Sequence, residues 1–541
     1  MKYNIKKITL CYPPVTRPKD FSANVVRVSV FFPLGIAYLA AALEKTGKYE
    51  IQIIDALIEK DVNDSTIIEE GDKIRYGLTD EELAIKIKVF SPDVLLVSCL
   101  FSAMQWDMEN VCNLAKEIDP SIITIVGGAN PGARPIDTLS KCGSVDYVVI
   151  GEGEDTIAHL LSALEEGSDL NELNGIAFRD NNKPKSIPKT TYIENLDLLT
   201  FPARHLFDME KYLTNASAHS TFRQSPYTQM ITSRGCPYKC TFCAIENHWG
   251  VRQRFRSAKN VLDEIEYLIK NYGIKEIHFE DDNFTADKAR AMAIFDGMIE
   301  REFGISWNVP SGMAVSTLSE DLLVKMEASG CYSISLAIES GNQDVLKKLM
   351  NKPVNLKTLP MLVRKIREIG MDARGFFILG YPGETKTTIR QTVDFARELE
   401  LDWAYFFIAS PLPNTKMYKT CIEKGYIKEE DFDPIRSFYQ SIIRTPEFNP
   451  EYLAEVREEA IVDVNFRNNP NLLKYDINKA IFSFEEVVTR YPHFDFANYY
   501  LGEAYLKKGN KTKAIASYKM ALVANPSHKS AIQRLQDLEK E

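Results

Sequence analysis

The 541-residue sequence lacks any long uncharged apolar run. Its longest nearly uncharged stretches, such as 35–43, are too short to span a bilayer, so we expect no transmembrane segment. The first eleven residues contain no apolar core of the secretory type, which predicts no signal peptide. An excess of positive charge is also missing. The formal net charge of −10 disfavours a nucleic-acid-binding surface, so we expect no nucleic-acid partner.

The sequence also lacks the cysteine pattern of a disulfide framework and any histidine in its first 158 residues. The nine cysteines are odd in number and three of them share one short motif, which is atypical of a disulfide scaffold. We therefore expect a cytoplasmic protein. No histidine precedes His159, so the N-terminal segment offers no imidazole to a metal. The hydrophobic content of 45% and the charged content of 26% are ordinary for globular proteins, and this length predicts several domains.

Residues 1–165 alternate short apolar segments with amphipathic ones. This pattern predicts strands at 6–11, 50–54, 93–98, 122–126 and 146–150, and helices that include 35–46 and 105–118. Such alternation is typical of an α/β fold with a doubly wound, flavodoxin-like parallel sheet. Ligands bind such sheets beyond the carboxyl ends of the strands.

Residues 228–440 repeat a strand followed by a helix six times. The predicted strands are 228–233, 275–280, 306–310, 332–338, 373–379 and 403–409. Six units are too few to close an eight-stranded barrel, so we expect a partial (β/α)6 barrel of the TIM type, with its site where loops follow the strands. Residues 166–227 are predicted as a connector with a small hairpin at 175–188, and residues 441–470 as a helical linker.

Residues 471–541 contain a 34-residue period typical of a tetratricopeptide repeat. A plain helical hairpin is the alternative. Because fewer than three repeats are marginal alone, we expect this all-α segment to dock on the rest of the chain. The residues on the repeat spacing are Ala480, Phe484, Val487, Pro492, Leu501, Gly502, Tyr505, Ala514, Tyr518, Ala521 and Pro526.

Cys236, Cys240 and Cys243 have the spacing Cys-x3-Cys-x2-Cys. Three thiolates are one fewer than a closed structural zinc site takes. An iron–sulfur cluster with three thiolates keeps one iron open to bind another ligand. Segment 232–243 resembles the signature of the radical S-adenosylmethionine (SAM) family. The resemblance implies a 4Fe-4S cluster whose open iron binds SAM, and cleavage of SAM to a 5′-deoxyadenosyl radical.

The resemblance extends over about 228–420 and implies SAM contacts after successive strands. Carboxylates after the second strand suit the methionine ammonium. Polar residues after the fourth strand suit the ribose hydroxyls or the methionine carboxylate. Segment 375–384 is similar to the family's adenine-binding pattern, with one extra residue near each end. The residues that the resemblance places near SAM are Phe242, Glu280, Asp281, Asp282, Glu339, Ser340, Ile378 and Gly380.

The N-terminal segment resembles cobalamin-binding domains. Ser98 and Leu100, followed by Gly127-Gly128, are similar to that family's Ser-x-Leu and Gly-Gly pair, where small residues let the backbone approach the nucleotide tail. The family's Asp-x-His-x-x-Gly element is missing, because aligning its glycine with Gly35 puts Phe32 where the cobalt-binding histidine belongs. The residues that this resemblance places near cobalamin are Pro13, Gly35, Ser98, Leu100, Gly127, Gly128, Asn130, Gly151 and Glu152.

Together the two segments resemble cobalamin-dependent radical SAM enzymes along nearly 1–430. That class includes methylases of unreactive carbon and an oxidative cyclase of porphyrin synthesis. The resemblance implies methylation of an unactivated carbon of a small molecule or lipid. We also expect an electron donor such as flavodoxin or ferredoxin, and the C-terminal repeats suggest a protein partner.

Three alternatives remain open. The same cofactors could serve cyclisation or rearrangement without methyl transfer, the N-terminal domain could dock a partner instead of cobalamin, or the chain could be a scaffold built on its helical repeats. A methylthiotransferase acting on transfer RNA is disfavoured, because Cys11, Cys99, Cys112 and Cys142 are scattered. For Arg252, Arg254 and Arg256, which precede a helix predicted from 257, we favour solvated charges at a helix cap over carboxylate contacts.

Overall fold

The structure is a computed structural model that describes residues 2–19, 30–60, 68–70, 73–214, 222–428, 430, 432 and 440–540. The strands are β1 (Lys7–Tyr12), β2 (Val15–Pro18), β3 (Glu50–Asp55), β4 (Ile68–Glu70), β5 (Lys73–Tyr76), β6 (Val94–Ser98), β7 (Ile123–Gly127), β8 (Tyr147–Val149), β9 (Ile176–Asp180), β10 (Lys183–Ile187), β11 (Tyr227–Met230), β12 (Ser233–Arg234), β13 (Arg254–Phe255), β14 (Glu276–Phe279), β15 (Ser306–Asn308), β16 (Cys331–Glu339), β17 (Asp372–Leu379) and β18 (Trp403–Ile408).

The α-helices lie between and after these strands. They are α1 (Leu34–Glu44), α2 (Asp80–Phe90), α3 (Gln105–Ile118), α4 (Ala129–Ala133), α5 (Pro135–Lys141), α6 (Glu154–Glu166), α7 (Met209–Thr214), α8 (Ile245–Trp249), α9 (Ala258–Tyr272), α10 (Lys288–Glu300), α11 (Glu320–Ala328), α12 (Leu359–Ile369), α13 (Lys386–Glu398), α14 (Lys416–Glu423), α15 (Pro450–Val462), α16 (Pro470–Leu473), α17 (Ile477–Arg490), α18 (Asp495–Lys507), α19 (Lys511–Ala524) and α20 (Lys529–Lys540).

Seven strands form the N-terminal sheet in the order β10-β9-β8-β7-β6-β1-β3. Its five parallel strands follow the flavodoxin-like order, with the second strand at one edge and the switch point between β1 and β6. The strands are apolar runs because helices cover both faces, with α1 against α6 and α2 against α3. The predicted doubly wound sheet is therefore confirmed.

Two smaller β-structures accompany this sheet, one that was predicted and one that was not. The hairpin predicted at 175–188 is present as β9 and β10, and its turn residues Asn181 and Asn182 have positive φ angles of 50° and 63°. It extends the N-terminal sheet antiparallel to β8. A small antiparallel sheet of β2, β5 and β4 was not predicted, since its strands carry too few consecutive apolar residues to give a strand pattern.

Six parallel strands form the central sheet in the order β11-β14-β15-β16-β17-β18. The partial barrel expected from six strand–helix units is confirmed. Alternation along β14 shows how its two faces differ. Ile277 and Phe279 enter the core beneath the surrounding helices, whereas Glu276 and His278 face the concave side. The loop residue Glu280 continues that concave row towards the carboxyl ends.

The C-terminal segment is helical, as predicted, and its assignment as a tetratricopeptide repeat remains a prediction. Helices α18 and α19 pack so closely at Gly502 that a Cβ there would lie 2.4 Å from the Tyr518 ring. Just before these helices, Asn465 covers the edge of the central sheet. Its amide accepts from the Ala404 N–H and donates to the Ala404 carbonyl, both at 2.7 Å. Across the described ranges, no helix combines the length and apolarity that crossing a membrane requires.

Candidate active site

The three clustered cysteines lie on one loop after β11. The loop is closed at its base where β12 pairs antiparallel with β13. Cys236, Cys240 and Cys243 are partly exposed free thiols, whereas the other six cysteines of the chain are buried. These three sulfurs are therefore the ones that added iron can reach.

Hydrogen bonds hold the cysteine loop over the carboxyl ends of the central strands. The Thr241 hydroxyl lies 2.7 Å from the Leu349 carbonyl and 2.6 Å from the Tyr381 hydroxyl. The Thr241 N–H donates to the Met350 carbonyl at 3.0 Å, and its carbonyl accepts from the Met417 N–H at 2.9 Å. These partners follow β16, β17 and β18 respectively. The fold thus places the loop where the barrel site was expected.

The donor set fits an iron–sulfur cluster better than a single ion. Among the described residues, no three His, Cys, Asp or Glu side chains converge as one metal ion would require. A cubane cluster does not need such convergence, since each thiolate binds a different iron atom. Burial raises the pKa of all three thiols, that of Cys243 to about 12, so cluster binding must displace their protons.

One buried cation lies beside this loop. The Lys352 ammonium is 2.9 Å from Glu339 and 5.9 Å from the centre of the Phe242 ring. Glu339 ends β16 with a positive φ of 72°. Its neighbour Ser340 points elsewhere, because its hydroxyl lies 3.1 Å from that of Thr392 on α13. Of this predicted pair, the structure places Glu339 beside the cysteine loop and Ser340 in the sheet–helix packing.

The three carboxylates after β14 have different surroundings. Asp281 is fully buried and accepts hydrogen bonds from the Thr232 N–H and hydroxyl and from the Ser233 hydroxyl, which fixes the end of β11. Glu280 accepts from the Ser311 hydroxyl at 3.0 Å, and burial raises its pKa to about 7. Burial also raises the pKa of Asp282 to about 7, and its Oδ2 atom has no hydrogen-bond partner in the described part of the chain. Glu280 and Asp282 therefore fit a cationic ligand group best.

The segment predicted to hold adenine lies at the end of β17. Ile378 is half-buried against the barrel core. Gly380 has a φ of 79°, and a Cβ there would lie 2.5 Å from Leu453 of α15. The close approach of α15 requires a glycine at this position. Glu384, which was not assigned a role, accepts from the Tyr381 N–H at 2.8 Å and stabilises the same turn.

The N-terminal sheet brings most of the predicted cobalamin contacts to one edge. Ser98 pairs with Gly127 across β6 and β7, and Leu100 is 44% exposed in the next loop. Gly128 has a φ of 113°, and a Cβ there would lie 2.5 Å from the Cys99 carbonyl. Asn130 donates to Gln105 from the same edge. This edge of small residues, with an apolar side chain left in solvent, fits a large planar cofactor.

The loop and helix after β1 complete that edge. Pro13 is buried between β1 and β2, and Gly35 is exposed in the first turn of α1 with open space around it. Phe32, which the predicted alignment puts at the position of the cobalt-binding histidine, is buried. Its ring packs 4.9 Å from that of Phe207 and 5.3 Å from that of Tyr212. This position therefore serves packing.

Glu152 lies at the junction of the two domains. Its Oε1 atom is 3.1 Å from Arg234 and 2.6 Å from Arg254, and Glu154 also pairs with Arg234. Gly151 approaches the same loop, since a Cβ there would lie 3.0 Å from the His248 carbonyl.

The arginines near 254 correct an expectation. Arg254 and Arg256 are 4% exposed rather than solvated, because Glu152 and Glu264 neutralise them inside the protein. Their partners lie on other elements, so the local sequence gave no signal for these pairs. Arg252 is exposed, as expected for a solvated charge, and pairs with exposed Glu194.

The cysteine loop and the cobalamin-type edge share one interface. Helix α4 of the N-terminal domain packs against α8, which directly follows the third cysteine. The Asn414 amide, from the loop after β18, donates to the Ala133 carbonyl of α4. The two edges that were predicted separately as cofactor sites therefore face the same junction.

Comparisons with known proteins give two family matches. The radical SAM superfamily matches residues 230–396, and the B12 binding domain matches residues 23–161. The cytidylyl-2-hydroxyethylphosphonate methyltransferase of Streptomyces wedmorensis is 35% identical over 472 residues. The match covers 81% of this chain and 87% of that relative.

Two solved structures share the fold. The cobalamin-dependent SAM radical enzyme OxsB, with aqua-cobalamin and SAM bound, superposes with a TM-score of 0.67 at 16% identity, covering 99% of this chain and 81% of that one. The radical SAM methyltransferase TsrM of Kitasatospora setae, with cobalamin and a 4Fe-4S cluster bound, gives a TM-score of 0.62 at 18% identity, covering 78% of each chain.

Proposed function

Because this chain belongs to the radical SAM superfamily, among the members that carry a B12 binding domain, we propose that it methylates an unactivated carbon of a small molecule. The main supporting observation is the shared junction. The cysteine loop lies over the carboxyl ends of the barrel strands, and helix α8 directly after it packs against α4, the helix that follows Gly127-Gly128. Two cofactors held there would both reach one substrate.

The cofactors are a 4Fe-4S cluster, SAM and cobalamin. When bound, they supply a hydrogen-abstracting radical and a transferable methyl group. In our proposal Cys236, Cys240 and Cys243 hold the cluster, while Glu280 and Asp282 bind the ammonium of SAM. The protein otherwise positions the reactants and excludes water.

The substrate is proposed from the chemistry of the relative. The compound that the Streptomyces wedmorensis enzyme is named for is a nucleotide-activated phosphonate, and it is the first substrate to test. A lipid with an unactivated carbon is the second. We also propose a one-electron donor of the flavodoxin or ferredoxin type, and a protein partner for the C-terminal helices.

Anaerobic reconstitution tests the proposed function. The protein is loaded with iron, sulfide and hydroxocobalamin, then incubated with SAM, a reductant and candidate substrate. We expect 5′-deoxyadenosine and a product heavier by one methyl group. Both should be lost in Cys240→Ala and retained in Cys112→Ala, which removes a buried cysteine of α3.

Product mass separates the alternatives. A product without an added methyl group would overturn methylation in favour of cyclisation or rearrangement. Turnover that needs no corrin would overturn the role of the N-terminal domain. The absence of 5′-deoxyadenosine, even with cell extract as substrate, would contradict the radical assignment itself.

A further inference from the structure

The base of the cysteine loop is tied to the N-terminal domain through a buried cluster of charges. Arg234 and Arg254 are directly paired in register across β12 and β13, so they stand side by side where the loop begins and ends. Both guanidinium groups are bound to one oxygen, Oε1 of Glu152, at 3.1 and 2.6 Å. A second carboxylate, Glu154, accepts from the other terminal nitrogen of Arg234.

The geometry points to Glu152 and Glu154 as positioning residues, which we call the carboxylate clamp. We infer that the clamp fixes the cysteine loop relative to the cobalamin-type edge. It reaches Arg234, two residues before Cys236, from the loop that follows β8 of the N-terminal sheet. It thereby connects the two cofactor-bearing parts of the chain.

Burial makes this connection rigid. The side chains of Arg234 and Arg254 are each 3% exposed, that of Glu154 is 7% exposed and that of Glu152 is fully buried. Within this cluster two carboxylates face two guanidinium groups. Guanidinium–carboxylate bonds are directional, and within a low-dielectric junction they hold orientation more strictly than exposed pairs do.

Further contacts surround the same loop. The second oxygen of Glu152 accepts from the Ile193 N–H at 2.8 Å, and Arg254 also donates to the Trp249 carbonyl beyond the third cysteine. The Trp249 ring stacks 4.7 Å from the Arg234 guanidinium. The clamp therefore touches the loop before its first cysteine and after its last one.

The consequence concerns coupling between the two cofactors. A misplacement of about 1 Å costs a reaction about 100-fold when the reacting groups are preorganised. Weakening the clamp should leave the cysteines able to hold a cluster but should shift the loop against the other domain. SAM cleavage would then proceed with fewer methyl transfers per radical. Only the expected number of methyl transfers per radical rests on the proposed function; the positioning of the loop does not.

The test compares Glu152→Gln and Glu154→Gln with Glu194→Gln. Glutamine keeps the size of the side chain and removes its charge. Glu194 is the matched control, since it pairs with Arg252 of the same loop at 2.7 Å but is exposed. For Glu152→Gln we expect full iron content, a changed electron paramagnetic resonance spectrum of the reduced cluster, and about tenfold more 5′-deoxyadenosine per methylated product. Glu194→Gln should behave as the wild type does.

Hydrogen exchange in cluster-free protein gives a readout independent of activity. The clamp predicts faster exchange for residues 235–253 in Glu152→Gln, with the six-stranded sheet unchanged. If Glu152→Gln unfolds throughout, Glu154→Gln decides the matter, because it leaves in place Glu152, the carboxylate that binds both arginines. Wild-type exchange and a wild-type spectrum in a folded clamp variant would overturn the inference. If the wild type forms no methylated product while Glu152→Gln still shows faster exchange of residues 235–253, the proposed function is overturned and the clamp remains supported.

Discussion

Glu280 is a partly buried carboxylic acid directly after β14. It keeps one hydrogen bond, from the Ser311 hydroxyl, and burial raises its pKa to about 7. A buried acid of this kind is poised to ionise when a cation arrives beside it. The ammonium of SAM is such a cation, and the methionine end of SAM must lie near the cysteine loop. At the scale of the residue, the site is thus defined by a few groups with unusual ionisation.

SAM binding should depend on pH through this residue. The charged form of Glu280 increases as the pH rises through about 7, so the Kd for SAM should fall about tenfold between about pH 6 and pH 8. Glu280→Gln should bind SAM more weakly and with a smaller pH dependence, as measured by equilibrium dialysis of the reconstituted protein. Asp282→Asn serves as the comparison, since Asp282 also has a pKa raised to about 7. If the pH dependence disappears in Asp282→Asn and survives in Glu280→Gln, the role belongs to Asp282.

The sequence predicted many site residues but not the partners that position them. Spacing marks Cys236, Cys240 and Cys243 as candidate cluster ligands, because ligands on one loop are close in the chain. The pairing of Glu152 with Arg234 joins residues 82 positions apart, and it depends on how two domains meet. A single sequence carries no signal for such a contact. For the same reason Arg254 was expected in solvent.

At the scale of the secondary-structure element, Gly128 shows how one backbone position can shape the carboxyl edge of the N-terminal sheet. Its φ of 113° and the 2.5 Å approach of the Cys99 carbonyl leave no room for a side chain. Gly128→Ala should lower the free energy of unfolding by about 2 kcal/mol or more, measured by urea denaturation. It should also weaken hydroxocobalamin binding, measured by absorbance titration.

Gly35→Ala is the matched control for stability. In the described part of the chain, no atom beyond the neighbouring backbone of α1 lies within 4 Å of a Cβ at Gly35, and alanine suits its helical position better than glycine does. We expect stability that is unchanged or slightly higher. Weaker hydroxocobalamin binding in this stable variant would support a direct contact at Gly35, and wild-type binding would contradict it. Gly128→Ala with wild-type stability would contradict the steric argument.

Strand β18 is the last strand of the open central sheet, and the buried Asn465 side chain pairs with its edge at Ala404. The amide replaces the two hydrogen bonds that a neighbouring strand would make with Ala404. Asn465→Ala should therefore cost about 2 kcal/mol of unfolding free energy, because a buried donor and a buried acceptor lose their partners. Asn478→Ala, at an exposed helical position, should change stability by less than about 0.5 kcal/mol. Equal effects of the two substitutions in denaturant titration would contradict this role.

At the scale of the whole molecule, the predictable features were those with an apolar repeat. The parallel strands of both sheets were found because buried strands are short apolar runs, and the helical C-terminus was found from its period. The small sheet of β2, β4 and β5 was missed, since strands such as Val15–Pro18 mix charged residues with proline. The placement of the hairpin β9–β10 on the N-terminal sheet depends on long-range pairing that propensity does not encode.

The two domains are also joined by a buried triad of charges, Arg204, Glu264 and Arg256. Glu264 binds Arg204 at 2.7 Å and Arg256 at 2.5 Å, and all three side chains are at most 4% exposed. Arg204 belongs to the segment between the domains, and its guanidinium lies 5.1 Å from the Phe32 ring of the N-terminal domain. The triad thus connects the N-terminal domain to α9 of the barrel.

Removing the shared carboxylate should uncouple the domains. Glu264→Gln leaves two buried guanidinium groups without a counter-charge, which costs about 3–5 kcal/mol. We expect a lower Tm and, by hydrogen exchange during a denaturant titration, separate unfolding of the N-terminal and central sheets, which should unfold together in the wild type. Asp344→Asn breaks the exposed Lys348–Asp344 pair and should shift stability by less than about 1 kcal/mol. If Glu264→Gln is no less stable than Asp344→Asn, the triad does not hold the domains together.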